Sequence, residues 1–326
     1  VNNTPKFSAI ARNLSSFGLA AAIACALVPA AGAAQLSADA RSAVPKDVQQ
    51  LIAVDYRAMQ NSASAMDLKN RVLPPDIKQL EDALKTSGFN ENHDVDALAF
   101  ASFRTGDVQG TRIIGVAQGQ FNLDAIKANW QKKKIKYTKV RANRVYPLGA
   151  NGMAVTFLNP TTMVFGSSEA VKAALDTRDG LAPSMLQNNA IMDSMEAVDT
   201  QAVWSVLDQE GTQYMMHTVL GQASQVTDYD AVKKRLLGSR YTMDFSNGVK
   251  FNLAVLTPDA FTAGTMASLL NAAALYEKMS GTPTEKQAIE NTTVSSNADN
   301  LEVKFAASDS QFASLLQSPL FQAVVR

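Results

Sequence analysis

Chemistry has few places to gather in this chain. Its 326 residues hold two histidines, His93 and His217, and one cysteine, Cys25. His93 lies in Asn90-Glu91-Asn92-His93-Asp94-Val95-Asp96. A carboxylate beside a histidine can orient it as a general base, so Asp94 or Asp96 with His93 is the candidate for a hydrolase centre. The segment lacks the Asp-x-Asp-x-Asp-Gly spacing and distal glutamate of a calcium loop, and a solvated helix-to-strand loop explains its polarity equally well. His217 has no second histidine at helical spacing and reads as a partly buried structural residue. With so few soft ligands, no metal and no other cofactor is indicated. Gly115-Val116-Ala117-Gln118-Gly119 lacks both nucleotide-loop patterns, and no Gly-x-Ser-x-Gly elbow occurs.

The most distinctive polar feature is a basic run of Lys132, Lys133, Lys134, Lys136, Lys139, Arg141 and Arg144, without an acid among them. Such a run can read an anionic membrane surface, an acidic glycan or an acidic protein. It can equally be a helix C-terminus followed by an exposed edge strand, where lysines complement the dipole and block edge pairing. Acids and bases number 30 each, so a global affinity for nucleic acid is not indicated. Met185, Met192, Met195, Met215, Met216, Met243, Met266 and Met279 concentrate in the second half. They fit core filling or, with Trp204, an adaptable apolar groove.

The N-terminus has the three parts of a secretory signal. Lys6 and Arg12 precede the apolar stretch Leu14 to Val28, and Ala31-Gly32-Ala33 offers a cleavage site. Removing residues 1–33 removes two bases and no acid, so the neutral balance becomes −2. Cys25 follows Ala22-Ile23-Ala24 and gives an alternative reading as a lipidation site. The expected location is therefore periplasmic or extracellular, with a lipid-anchored envelope protein as the alternative. A cysteine-free mature chain must rely on its cores rather than on disulfides.

The elements that carry these residues follow from periodicity and caps. Residues 34–47 read as a small, polar tether, and Val48 to Met59 contains a strand. Helical spacing runs from Ser64 to Ser87, broken by Pro74-Pro75, with Ile77, Leu80 and Leu84 on one face. Asp96 to Arg104 and Thr111 to Phe121 are strands, the second with room for close approach at Gly115 and Gly119. Asn122 caps a helix that buries Leu123, Ile126 and Trp130. A strand is expected over Ile135 to Tyr146, a hairpin around Asn159-Pro160, and a helix capped by Ser167.

The second half repeats this order. Ala202 to Leu207 is a strand, Thr212 to Leu237 is helical with a break near Thr227-Asp228, and Asn247-Gly248 turns a hairpin. Thr257-Pro258-Asp259 starts a helix to about Met279. Ala288 to Ser296 and Leu301 to Ala306 are the last strands, before a helix with Ser308 and Gln311 in capping-box spacing.

Both halves thus read β-α-β-β-α-β-β-α, with room for an additional strand in the first. Val54-Asp55-Tyr56 corresponds to Val203-Trp204-Ser205, and Phe165-Gly166-Ser167-Ser168-Glu169 to Phe305-Ala306-Ala307-Ser308-Asp309. The predicted class is α+β, with two similar halves, each a mainly antiparallel sheet with helices on one face. The predicted boundaries are a signal at 1–33, a tether at 34–47, domains at 48–180 and 199–326, and a connection at 181–198. From about Val48 to Leu316 the order resembles uncharacterised exported bacterial proteins built from tandem α+β units. That resemblance implies a fold and a location and supplies no functional residues. The functional expectation is an exported, non-enzymatic envelope protein that binds a protein partner or small-molecule ligand through its two halves.

Overall fold

The computed structural model describes residues 33–104, 111–149, 151–220, 229–318 and 321. Its strands are β1 (Val48–Asp55), β2 (Val95–Arg104), β3 (Thr111–Gly119), β4 (Thr138–Val140), β5 (Asn143–Pro147), β6 (Met153–Asn159), β7 (Thr162–Ser167), β8 (Val203–Leu207), β9 (Gly238–Asp244), β10 (Val249–Leu256), β11 (Thr292–Asn297) and β12 (Asn300–Ala307). The main helices are α1 (Ala38–Ala43), α2 (Ala63–Val72), α3 (Pro75–Lys85), α4 (Leu123–Lys132), α5 (Ser168–Arg178), α6 (Asn189–Glu196), α7 (Gln209–Leu220), α8 (Ala260–Ser280), α9 (Pro283–Glu290) and α10 (Asp309–Leu315).

All twelve strands join one antiparallel sheet in the order β11-β12-β10-β9-β8-β1-β2-β3-β7-β6-β5-β4. The α+β class is as expected, and the two halves share a single sheet. Their seam is the pairing of β1 with β8, where Ile52 faces Ser205 and Val54 faces Val203. Outward from that seam, β1-β2-β3-β7-β6 is mirrored by β8-β9-β10-β12-β11. The β4–β5 hairpin extends the first half alone.

Local chemistry explains the elements. Asn122 accepts from the Ala125 N–H at 3.1 Å, and Ser167 from that of Ala170 at 3.2 Å, each satisfying an amide that the first helical turn leaves free. Ser308 and Gln311 close their reciprocal box. Gly248, with φ of 73°, makes the β9–β10 turn. Gly115 answers a different need. A Cβ there would lie 2.1 Å from the Phe165 ring, which covers the glycine and meets Phe100 edge to face at 5.8 Å.

One core joins the sheet to α2, α3, α4, α7, α8 and α10 through Leu68, Leu80, Trp130, Met216, Met266 and Phe312. A second core covers the opposite face with α1, α5 and α6, through Ala40, Leu175 and Ile191, and its strand residues run only from β1 to β8. The first half is therefore covered on both faces. On β9 to β12 the second face carries Thr242, Lys250, Asn252, Glu302 and Lys304.

Several expectations change. The tether contains α1, capped by Ser37 and packed through Ala40 and Ala43, because its small residues allow close approach to α5. The connection forms α6, which buries Ile191 and Met195. The strand over Ile135 to Tyr146 is two strands, folded at Arg141 with φ of 52°. Ala288 to Glu290 belong to α9, which the Thr282–Glu285 capping box initiates, so β11 begins at Thr292. The long helix starts after Asp259, whose Oδ1 accepts from the Thr262 N–H at 2.8 Å, rather than at Thr257.

Candidate functional site

The residues around His93 do not converge on a cavity. His93 is exposed, with Nδ1 2.9 Å from Asp94 Oδ1, while the other Asp94 oxygen accepts from the Asn90 N–H. Asp96 pairs with Arg57 at 2.5 Å. The residue of this segment that turns inward is Glu91.

Glu91 meets Lys69 of α2 and Glu81 of α3 beneath an apolar cleft. Lys69 Nζ donates to Glu91 and lies 3.4 Å from Glu81. It also reaches Tyr56 Oη at 3.5 Å, and the Tyr56 hydroxyl donates to Asn92 Oδ1 at 3.1 Å. Lys85 pairs with Glu81 from the solvent side. Burial pushes the Glu91 carboxyl above its ordinary range, and its hydrogen bond with Glu81 adds to this against the opposing charge of Lys69. Burial pushes Glu81 the same way, but its hydrogen bond with Glu91 and the lysine charges outweigh it and hold Glu81 low. The pair is thus pushed in opposite directions, Glu91 upward and Glu81 downward. Burial, then the negative charge of Glu91, raises the Tyr56 hydroxyl.

Above this cluster is a partly open cleft of about 60 Å³, lined by Ile77, Leu80 and Leu84 of α3 and by Phe100, Met163 and Phe165 of the sheet. Lys69, Glu81 and Glu91 are the charged groups in its wall. Such a site can hold apolar groups along its walls and one polar group at its end. The sequence carried a signal for it. Ala65, Leu68, Lys69 and Val72 stand at i, i+3, i+4 and i+7, as do Ile77, Leu80, Glu81 and Leu84. Each helix therefore places one charge in its apolar stripe.

A second concavity of about 450 Å³ lies beside α6, with Asp193, Asp208 and Arg240 at its rim. Asp208 there is bound to Arg104 at 2.7 Å.

The basic run is drawn out along the end of α4 and the β4–β5 hairpin. Lys132, Lys133, Lys134, Lys136, Lys139, Arg141 and Arg144 are all exposed. Lys133 donates to the Thr86 carbonyl at 2.5 Å. Arg141 pairs with Asp176 and Asp179, both at 2.6 Å. Arg144 stacks 4.7 Å from the Tyr137 ring centroid. Cys25 lies outside the described residues. His217 is exposed rather than partly buried, because α7 turns Thr212, Met216 and Leu220 inward. The methionines do not line one groove: Met185 and Met195 pack on one face of the sheet, Met243 and Met266 on the other, and Met279 is exposed. Among the described residues no group of three or more His, Cys, Asp or Glu side chains could hold a metal ion, and no helix is long and apolar enough to cross a membrane.

The fold defines a tandem antiparallel α+β protein, and solved structures share it. The Treponema protein TP0453 in one crystal form aligns with a TM-score of 0.50 at 14% identity, covering 86% of this chain and 97% of that one. A further crystal form aligns at 0.49 with 12% identity, covering 86% and 99%. No family model matches the chain, and no curated protein does either.

Proposed function

We propose that this is a non-enzymatic, exported envelope protein that binds a small apolar ligand in the cleft of its first half. The observation that carries this reading is a cleft with aliphatic and aromatic walls whose charged groups, Lys69, Glu81 and Glu91, are already paired with one another. Groups so paired serve orientation and selectivity better than bond making, since each is held in place by its neighbours. The leader features before Ala34 support export, and Ala34 itself is buried, with its N–H bonded to the Gln201 carbonyl. TP0453, a Treponema outer-membrane-associated protein, supports an envelope location through the shared fold.

Mass spectrometry of organic extracts from protein purified from its own envelope tests this. The expected result is a co-purifying apolar molecule that is lost when Leu84→Trp fills the cleft. A molecule retained equally by that variant, or none at all, would overturn the reading.

A second reading rests on the exposure of Lys132, Lys134, Lys136 and Lys139. These could hold an anionic surface alongside ligand binding, with attraction that weakens as salt rises. Flotation with anionic vesicles should fall for Lys134→Glu/Lys136→Glu, and salt-independent flotation would refute it.

A further inference from the structure

The mirrored order of the sheet shows a place where the second half lacks what the first half has. In the first half β6 is not an edge, because β5 pairs with it, Tyr146 facing Val155. Tyr146 also covers α4, with its ring 4.2 Å from Trp130. In the second half the counterparts are β11 and α8. No strand pairs with the outer side of β11 among the described residues. Helix α8 lies along that strand, with Asn271 Nδ2 donating to the Val294 carbonyl at 3.4 Å. Its outward side carries Phe261, Leu275 and Met279, exposed by 76%, 64% and 79%, with Ser268 and Ala272 between them.

We propose that this edge and helix face bind a second copy of the chain about a two-fold axis, pairing β11 antiparallel with its twin and bringing the two α8 stripes together. Three observations choose this occupant. The edge Thr292-Thr293-Val294-Ser295-Ser296-Asn297 has no charge, so two copies meet without repulsion. The opposite edge, β4, is short, exposed and guarded by Lys139, which disfavours head-to-tail pairing and leaves the isologous contact. The unpaired strand also offers backbone hydrogen-bonding groups, which another strand can satisfy and a lipid tail cannot. A bilayer-surface helix would carry a basic polar face, whereas Lys278 is the only base on α8 and pairs with Glu290 at 2.8 Å. Helix α8 is about 31 Å long at 1.5 Å per residue. A two-fold doubles every contribution toward the roughly 1,000 Å² that a stable interface needs.

Sedimentation velocity of the full chain over the micromolar range, beside Leu275→Glu/Met279→Glu and, separately, Thr293→Lys/Ser295→Lys, tests the proposal. All four sites are exposed, and circular dichroism checks that the fold persists. The expected result is a wild-type dimer whose dissociation constant rises at least about thirtyfold in each variant. A wild type that stays monomeric throughout, or a dimer unaffected by the helix variant, would overturn it. So would a monomer that floats with zwitterionic vesicles, since that result assigns the face to a bilayer.

Discussion

The two halves of the sheet share a strand order and differ in cover. In the first half β2 and β3 are buried on both faces, and a glycine under Phe165 lets three strands pack around an aromatic pair. In the second half β10, β11 and β12 carry few buried residues, because among the described residues α8, α9 and α10 protect them from one side. One topology thus supports a doubly covered layer with an apolar cleft and a singly covered layer with an open edge. The added cover comes from α1, α5 and α6, and the added edge protection from the β4–β5 hairpin.

The sharpest break in that comparison is a charge introduced at matched positions. Val116 of β3 and Ala254 of β10 point to the same face, the former against the second core and the latter toward solvent. Val116→Lys should abolish cooperative unfolding, since an unpaired buried ammonium exceeds the whole stability of a typical domain. Ala254→Lys should stay within about 0.5 kcal/mol. Urea melts followed by circular dichroism compare the two. If both variants unfold, the second face of the second half is not open.

Next in size is Lys69→Met. It strips the buried Lys69 cation from two acids and should cost about 3–5 kcal/mol, less if Glu81 takes up a proton. A change below about 1 kcal/mol would show that the cluster is solvated. Gly115→Ala should follow at about 1–3 kcal/mol, because its methyl collides with Phe165 and the ring must leave its packed position. Gly264→Ala on α8, whose Cβ would meet nothing closer than 4.0 Å, should be neutral or stabilising.

The smallest effect is a pH dependence. Glu91 has a raised folded pKa, so its contribution is fully present below the unfolded value of about 4.3 and is lost as pH rises through the folded value. Glu81 is lowered, so its contribution is present above that value and is lost as pH falls through its folded pKa. Glu91→Gln should therefore gain stability relative to wild type as pH rises. A difference that stays flat from acid to alkaline pH would remove the raised Glu91 from the account.

What the sequence made legible was local. The Asn247-Gly248 turn, the Asn122 and Ser167 caps and the Ser308–Gln311 box are short-range chemistry, and each stands where spacing put it. Element order was readable for the same reason, and with it the repeat. The joining of both halves into one sheet was not, because β1–β8 pairing is between residues about 150 apart and no local pattern encodes it. Helix α9 was hidden by Gly281 and Pro283, which read as a stop for α8 although Pro283 opens the next helix. The cleft was not legible because helical spacing does not say what Lys69 and Glu81 meet, although each fills a core slot of its helix. Only the packing of α2 against α3, and the turn that carries Glu91 inward, shows that the two charges meet.

The central claim is that the first half holds an apolar ligand and the second does not. Methyl-resolved NMR during titration with a medium-chain alkyl alcohol tests it directly. The account predicts saturable shifts at Ile77, Leu80, Leu84 and Met163, with Leu253 and Val303 unmoved. Shifts confined to the second half, or none up to the solubility of the alcohol, would contradict it.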